Sequence, residues 1–141
     1  MPRADGQVKV AQDVCEANEE DTMNDAGKLS QIPPQVENLK QMLQVQDKAV
    51  VSRMLAKNAG GSVTLFAFDG GEGLSEHTAP FDALVIGVEG SADIHIGGVV
   101  HRLAEGETVL LPAHVPHAVS PTGPFKMLLV MIRGEKAVTP A

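Results

Sequence analysis

Residues 71–90 of the chain read GEGLSEHTAPFDALVIGVEG, and residues 106–121 read GETVLLPAHVPHAVSP. Each stretch holds an aliphatic run between glycine or proline residues, which is typical of a β-strand between turns. The same pattern continues through residues 49–132 and predicts strands at 50–56, 62–68, 81–88, 92–96, 99–103, 108–111, 118–120 and 125–132. About eight short strands in one small domain favour an all-β sandwich or barrel.

Length, composition and charge restrict the class of protein. The 141 residues suffice for one domain with a core, and the 3% aromatic content, without Trp or Tyr, predicts an aliphatic core. The net charge of −7 would repel phosphate backbones and anionic lipid, so we expect neither nucleic acid nor a membrane as a partner. A single cysteine, Cys15, and the absence of a signal-peptide pattern predict a reduced, cytoplasmic location.

The chain before the strands divides into two parts. Residues 1–30 hold seven acidic and three basic residues with few apolar ones, which predicts a solvated or loosely docked tail. In residues 31–48, two prolines precede apolar residues at helical spacing, which predicts a short helix or turn over 35–46. The β-domain is expected over 49–134, with a C-terminal tail at 135–141.

Several predicted strands are apolar on both faces. The runs at 84–88 and 127–132 contain almost no polar residue, although a strand with one buried face needs only alternate apolar residues. A second subunit or the segment before residue 50 would therefore cover the outer face. We expect a homodimer joined through sheet faces.

The stretch at 71–90 resembles the first sequence motif of the cupin superfamily, which reads Gly, five residues, His-x-His, three or four residues, Glu, six residues, Gly. Gly71, His77 and Gly90 match this motif, whereas Ala79 stands at the second histidine position and Ala83 at the glutamate position. The match is therefore incomplete at two positions that carry metal ligands in the family.

The stretch at 106–121 resembles the second cupin motif, which reads Gly, five residues, Pro-x-Gly, two residues, His, three residues, Asn. Gly106, Pro112 and His117 match, whereas His114 stands at the glycine and Pro121 at the asparagine. The fifteen residues between the two stretches agree with the spacer of small single-domain bacterial cupins. The resemblance implies a jelly-roll barrel, also called a double-stranded β-helix, with its ligand site inside, and it commonly implies dimers.

The resemblance also implies a set of metal ligands. In metal-binding cupins the two motifs supply three histidines and a glutamate to a divalent cation, usually iron, manganese, nickel or zinc. Only His77 and His117 occupy such positions here, and His114, three residues before His117, is the candidate third ligand. Asp82 precedes the glutamate position by one residue, so its side chain is expected to face away in a regular strand.

The two alanines predict space inside the barrel. A pocket lined by Ala79, Ala83, Val85 and methionines would be mostly apolar, with two imidazoles, and would suit a small-molecule ligand. Alternatively, larger side chains fill this space and leave a packed core. Lys126 either projects into the pocket and pairs with an anionic ligand or is a solvated charge near a turn.

Two functional hypotheses remain open. In the first, the barrel binds a divalent metal, at full strength or as a vestige, which would act as a Lewis acid, or a histidine would serve as general acid or base. In the second, the chain is a non-catalytic, metal-free module that binds or senses a small organic ligand. A metal-free epimerase would typically need a tyrosine acid, and the sequence has no tyrosine.

Overall fold

The computed structural model describes residues 32–133, which form two antiparallel sheets that pack face to face. The nine strands are β1 (Val50–Asn58), β2 (Gly61–Phe68), β3 (Leu74–His77), β4 (Asp82–Glu89), β5 (Ser91–Ile96), β6 (Val99–Ala104), β7 (Thr108–Leu111), β8 (His117–Pro121) and β9 (Phe125–Ile132). One sheet has the order β1-β2-β9-β4-β7 and the other the order β3-β8-β5-β6. The predicted all-β jelly-roll architecture is confirmed, while the tails predicted at 1–30 and 135–141 lie outside the described residues.

The core lies between the inner faces of the two sheets. Along β9, alternate residues beginning with Phe125 point inward and pack against apolar residues of the opposite sheet, such as Ile94. The composition predicted an aliphatic core, and this prediction is wrong in part. Three of the chain's four phenylalanines are fully buried in the core. The ring of Phe68 lies 6.0 Å from that of Phe66 and 5.6 Å from that of Phe125, between centroids.

The segment before β1 covers part of the outer face of the five-stranded sheet. Leu43 is buried there in a second apolar cluster with side chains of β1, β2 and β4. The helix predicted over 35–46 is wrong in extent, because only a single 3-10 turn, Leu39–Gln41, forms, whereas the alternative of a turn is confirmed. So short a helix has little stability alone, and here the backbone is fixed by the sheet, for example by Ile32 N–H donating to Leu55 O.

Two further features bear on the site. The four-residue strand β3 was not predicted, because its central residues Ser75 and Glu76 are polar and exposed and give no apolar run. Strand β8 begins at His117, one residue before the predicted start.

Among residues 32–133, no helix is long and apolar enough to cross a membrane.

Candidate functional site

Two histidines meet where β3 ends and β8 begins. His77 is the last residue of β3, His117 is the first residue of β8, and the two are cross-strand partners. Their rings meet edge to face, with centroids 4.5 Å apart and an interplanar angle of 70°. Both rings line one cavity between the two sheets.

Backbone carbonyls fix the tautomer of both rings. His77 Nδ1 lies 2.8 Å from Ser75 O, and His117 Nδ1 lies 3.1 Å from Val115 O. A carbonyl oxygen can only accept, so each Nδ1 carries a hydrogen, and in the neutral form of each ring the lone pair is on Nε2. His77 Nε2 is buried and has no hydrogen-bond partner in the described part of the chain. An unsatisfied buried polar atom lowers the free energy of unfolding by about 1–3 kcal/mol, so we expect a ligand or a water at this nitrogen.

Burial also favours the neutral form of His117. It lowers the pKa of His117 below its usual value, and the neighbouring His77 ring acts in the same direction, against the smaller opposing effect of the Val115 carbonyl. The neutral form of His117 is therefore favoured in the fold. Neutral imidazole is the form that binds a metal ion or accepts a hydrogen bond at Nε2.

Apart from the two imidazoles, the cavity wall is apolar. The cavity has a volume of about 20 Å³, which is enough for one water molecule or one ion. None of the lining residues is acidic. The remaining wall consists of Leu74, Ala79, Ala83, Leu111, Val119, Met127, Leu129 and Met131.

The structure brings some of the predicted site residues together and separates others. Ala79 and Ala83 line the cavity beside His77 and His117. Val85 is fully buried in the core but does not line the cavity. His114 lies exposed in the loop before β8, and its ring does not line the cavity, although its backbone N–H donates to Ala79 O. The histidine pair formed by His77 on β3 and His117 on β8 therefore does not include His114.

Lys126 lies on the opposite face of β9 from the cavity. Its neighbours Phe125 and Met127 point into the core, so its side chain projects outward, beneath the segment before β1. The side chain is buried, with Nζ donating to Lys40 O at 2.5 Å and lying 3.2 Å from Glu89 Oε1. It is thus neither a pocket residue nor a solvated charge. The alternation of β9, read from Met127, could have indicated this orientation.

Sequence reasoning gave no separate role to Met131. Its position follows from the strand register, because Met131 is the cross-strand partner of Ala83, the residue at the glutamate position of the first motif. The side chains of Met127 and Met131 both line the cavity from β9. Register between β4 and β9 links residues that are 48 positions apart, which sequence spacing alone does not give.

The motifs imply a divalent ion, whose usual ligands are only partly present at the cavity. Within residues 32–133, no group of three or more His, Cys, Asp or Glu side chains is placed to hold a metal ion. Asp82 is exposed and faces away from the cavity, as expected, and its Oδ1 accepts from Ala113 N–H at 2.9 Å. Structural and catalytic sites for such ions usually have three or four protein ligands. The two imidazoles therefore do not fit the family's divalent ligand set.

Comparisons with known proteins agree with the fold. The family model for the cupin domain matches residues 64–132. A conserved protein of unknown function from Streptococcus pyogenes is 33% identical with a TM-score of 0.70, over 76% of this chain and 97% of its own. No curated protein sequence matches the chain.

Two other solved structures are similar over more than two thirds of this chain. A cupin superfamily protein from Desulfitobacterium hafniense is 27% identical with a TM-score of 0.69, over 74% of this chain and 95% of its own. A cupin 2 conserved barrel domain protein from Leptotrichia buccalis is 36% identical with a TM-score of 0.67, over 69% of this chain and 47% of its own. These relatives place the barrel in a family and do not assign it a reaction.

Proposed function

The chain belongs to the cupin superfamily, and from this premise we propose that it is a non-catalytic binding module whose barrel holds one small ligand on the Nε2 atoms of His77 and His117. One observation carries the proposal. The Nδ1 atoms of both rings are tied to backbone carbonyls, and His77 Nε2 is left buried and unpartnered at an apolar cavity.

The chemistry of the cavity limits the ligand. Two Nε2 lone pairs accept hydrogen bonds or bind a cation, so the ligand is a cation or a hydrogen-bond donor. The volume of about 20 Å³ fits one ion or a molecule of similar size to water. A larger organic ligand would require the wall residues to move, since it would exceed this volume.

The alternative of a divalent metal enzyme has less support. Ala79 and Ala83 remove a histidine and a carboxylate from the ligand set, and His114 does not line the cavity. A divalent charge in an apolar cavity without an anionic ligand carries a large desolvation cost.

The proposal is tested on untagged protein purified without chelator or nickel resin. Native mass spectrometry, elemental analysis and ¹⁵N NMR of the histidine rings would be recorded for the protein as purified and after titration with Cu⁺, Ag⁺, Zn²⁺ or Ni²⁺ alone. We expect at least one species to bind once per chain and to shift the Nε2 resonances of His77 and His117.

The matched variants are H77A/H117A and H95A/H101A, the second of which removes two histidines outside the cavity. Binding should disappear in the first variant and persist in the second. A wild-type protein that carries nothing, and whose Nε2 resonances respond to none of the four ions, would overturn the proposed function.

A further inference from the structure

We infer that the cavity is selective for a soft monovalent cation, Cu⁺, and that the thioethers of Met127 and Met131 complete the donor set that the two imidazoles begin. This inference rests on the proposed function, because it names the ligand class of the same cavity. It assigns a binding role to residues that the cupin motifs do not include.

The position of the methionines is the first argument. Met131 lies directly across from Ala83, and the small alanine leaves space beside it where a longer side chain would otherwise stand. Met127 lies four residues earlier on β9, on the same face, and both methionines are buried. The imidazoles enter the cavity from the four-stranded sheet, whereas the thioethers enter it from the five-stranded sheet.

The charge of the donor set is the second argument. Imidazole and thioether are both neutral, and no carboxylate lines the cavity. The cost of moving an ion from water into an apolar site increases with the square of its charge, so a divalent ion incurs about four times the cost of a monovalent ion of the same size. With no anionic ligand to offset this cost, the cavity disfavours Zn²⁺, Ni²⁺, Mn²⁺ and Fe²⁺ relative to a monovalent cation.

The softness of the donors is the third argument. Thioether sulfur is a soft ligand that favours Cu⁺, and imidazole also binds copper. Hard monovalent cations such as Na⁺ and K⁺ prefer oxygen donors, which the cavity wall does not supply from side chains. Methionine has three rotatable bonds, so its sulfur can adjust to an ion without movement of the strand.

The test compares two leucine variants under anaerobic conditions. M127L/M131L removes both sulfurs from the cavity while conserving volume, and M54L removes the sulfur of a β1 methionine that packs against the core outside the cavity. Cu⁺ affinity would be measured against a chromophoric Cu⁺ chelator, with Ag⁺ as a redox-inert substitute and Zn²⁺ as the divalent competitor.

We expect the wild-type protein to bind one Cu⁺ per chain, with an affinity at least about 100-fold above that for Zn²⁺. M127L/M131L should lose at least about tenfold in Cu⁺ affinity with little change for Zn²⁺, and M54L should match the wild type. X-ray absorption at the copper edge should show a sulfur shell in the wild type that M127L/M131L lacks. If the double variant fails to fold by circular dichroism, M131L alone provides the same comparison.

The outcomes separate this inference from the proposed function. Unchanged Cu⁺ affinity in a folded M127L/M131L variant, or equal affinity for Zn²⁺ and Cu⁺, would overturn the thioether site while leaving the histidine pair as a binding site. If none of the ions binds and one buried water bridges the two Nε2 atoms, both proposals fail.

Discussion

His77 and His117 face each other across the β3–β8 pair, and each ring donates its Nδ1–H to the carbonyl of the residue two positions earlier in the chain. The same local hydrogen bond thus orients both rings, once at the end of a strand and once at the start of a strand. It also leaves His77 Nε2 without a partner among the described residues, and the energetic cost of this buried nitrogen can be measured by substitution.

Replacement of His77 by leucine should raise the stability of the ligand-free protein. The variant removes the unsatisfied Nε2, worth about 1–3 kcal/mol, at the loss of one hydrogen bond worth about 1 kcal/mol to the carbonyl of the exposed Ser75. Urea unfolding should show a net gain of about 1 kcal/mol. H101L, at an exposed histidine, is the control and should change stability little. A destabilised H77L would mean that the nitrogen is already satisfied, for instance by a buried water.

Filling the cavity should destabilise the fold. The side chain of Ala83 borders a space for only about one water, so Ala83→Leu overfills it and should cost about 1–3 kcal/mol in urea unfolding. Ala118→Leu, next to His117 on β8 and only half-buried, is the matched control and should be tolerated better. Equal stability of the two variants would show that the cavity is larger than the structure indicates.

The stability of the ligand-free protein should depend on pH through His117. The pKa of His117 is lowered in the fold by burial and by the facing His77 ring, whereas in the unfolded chain it returns to about 6.5. The unfolded state then binds more protons, so the contribution to stability is complete above pH 6.5 and declines as the pH falls from there towards the folded pKa. Urea unfolding at pH 7.5, 6.5 and 5.5 measures the decline, and H117Q should make it shallower. The same slope in H117Q would assign the effect to other groups.

Lys126 should hold the segment before β1 against the sheet. Its Nζ donates a hydrogen bond to Lys40 O, and the Nζ of Lys40 lies 2.7 Å from Glu105 Oε2. Lys126→Met conserves the buried stem and removes the amine, so hydrogen exchange should accelerate in residues 38–46 while β2 and β9 remain protected. Lys57→Met is a control at another buried lysine, on β1. If exchange in residues 38–46 does not change, the apolar contacts of Leu43 alone hold the segment.

The homodimer expected from the sequence should use the part of the outer face that residues 32–49 leave open. Leu110 and Ile132 are 48% and 55% exposed, and half-buried Leu84 and Val130 lie between them on adjacent strands of that face. We expect light scattering to give a dimeric mass for the wild type and a monomeric mass for Ile132→Lys. Val99→Lys, at a residue 56% exposed on the other sheet, should remain dimeric. A monomeric wild type would end this prediction.

The fold was accessible from the sequence because its signals are local. Glycine and proline between aliphatic runs mark strands. Six residues that match two spaced motifs, His77 and His117 among them, indicate the family. The strand β3 escaped prediction because Ser75 and Glu76 face solvent and mimic a loop. The ends of strands and the 3-10 turn depend on tertiary hydrogen bonds, which local patterns do not encode.

The site was predictable only in part, since its composition depends on register and on side-chain direction. His77 and His117 follow from their motif positions, whereas His114 has a positive φ of 66° that turns the loop away from a regular strand direction. Lys126 was misplaced because a lysine near a turn suggested either a pocket residue or a solvated charge, although β9 is a central strand with a covered outer face. The pairing of Met131 with Ala83 appears only once the sheet is assembled.

The carbonyl bonds to Nδ1 give the cavity two walls of different stiffness. On one side the imidazoles have already lost their rotational freedom during folding, so an arriving ligand does not have to order them, a saving of about 0.5–1.5 kcal/mol for each ring. On the other side Met127 and Met131 can still change rotamer. The fixed imidazoles therefore determine the position of a bound ligand. The methionines determine how far the size of that ligand can differ from the size of the cavity.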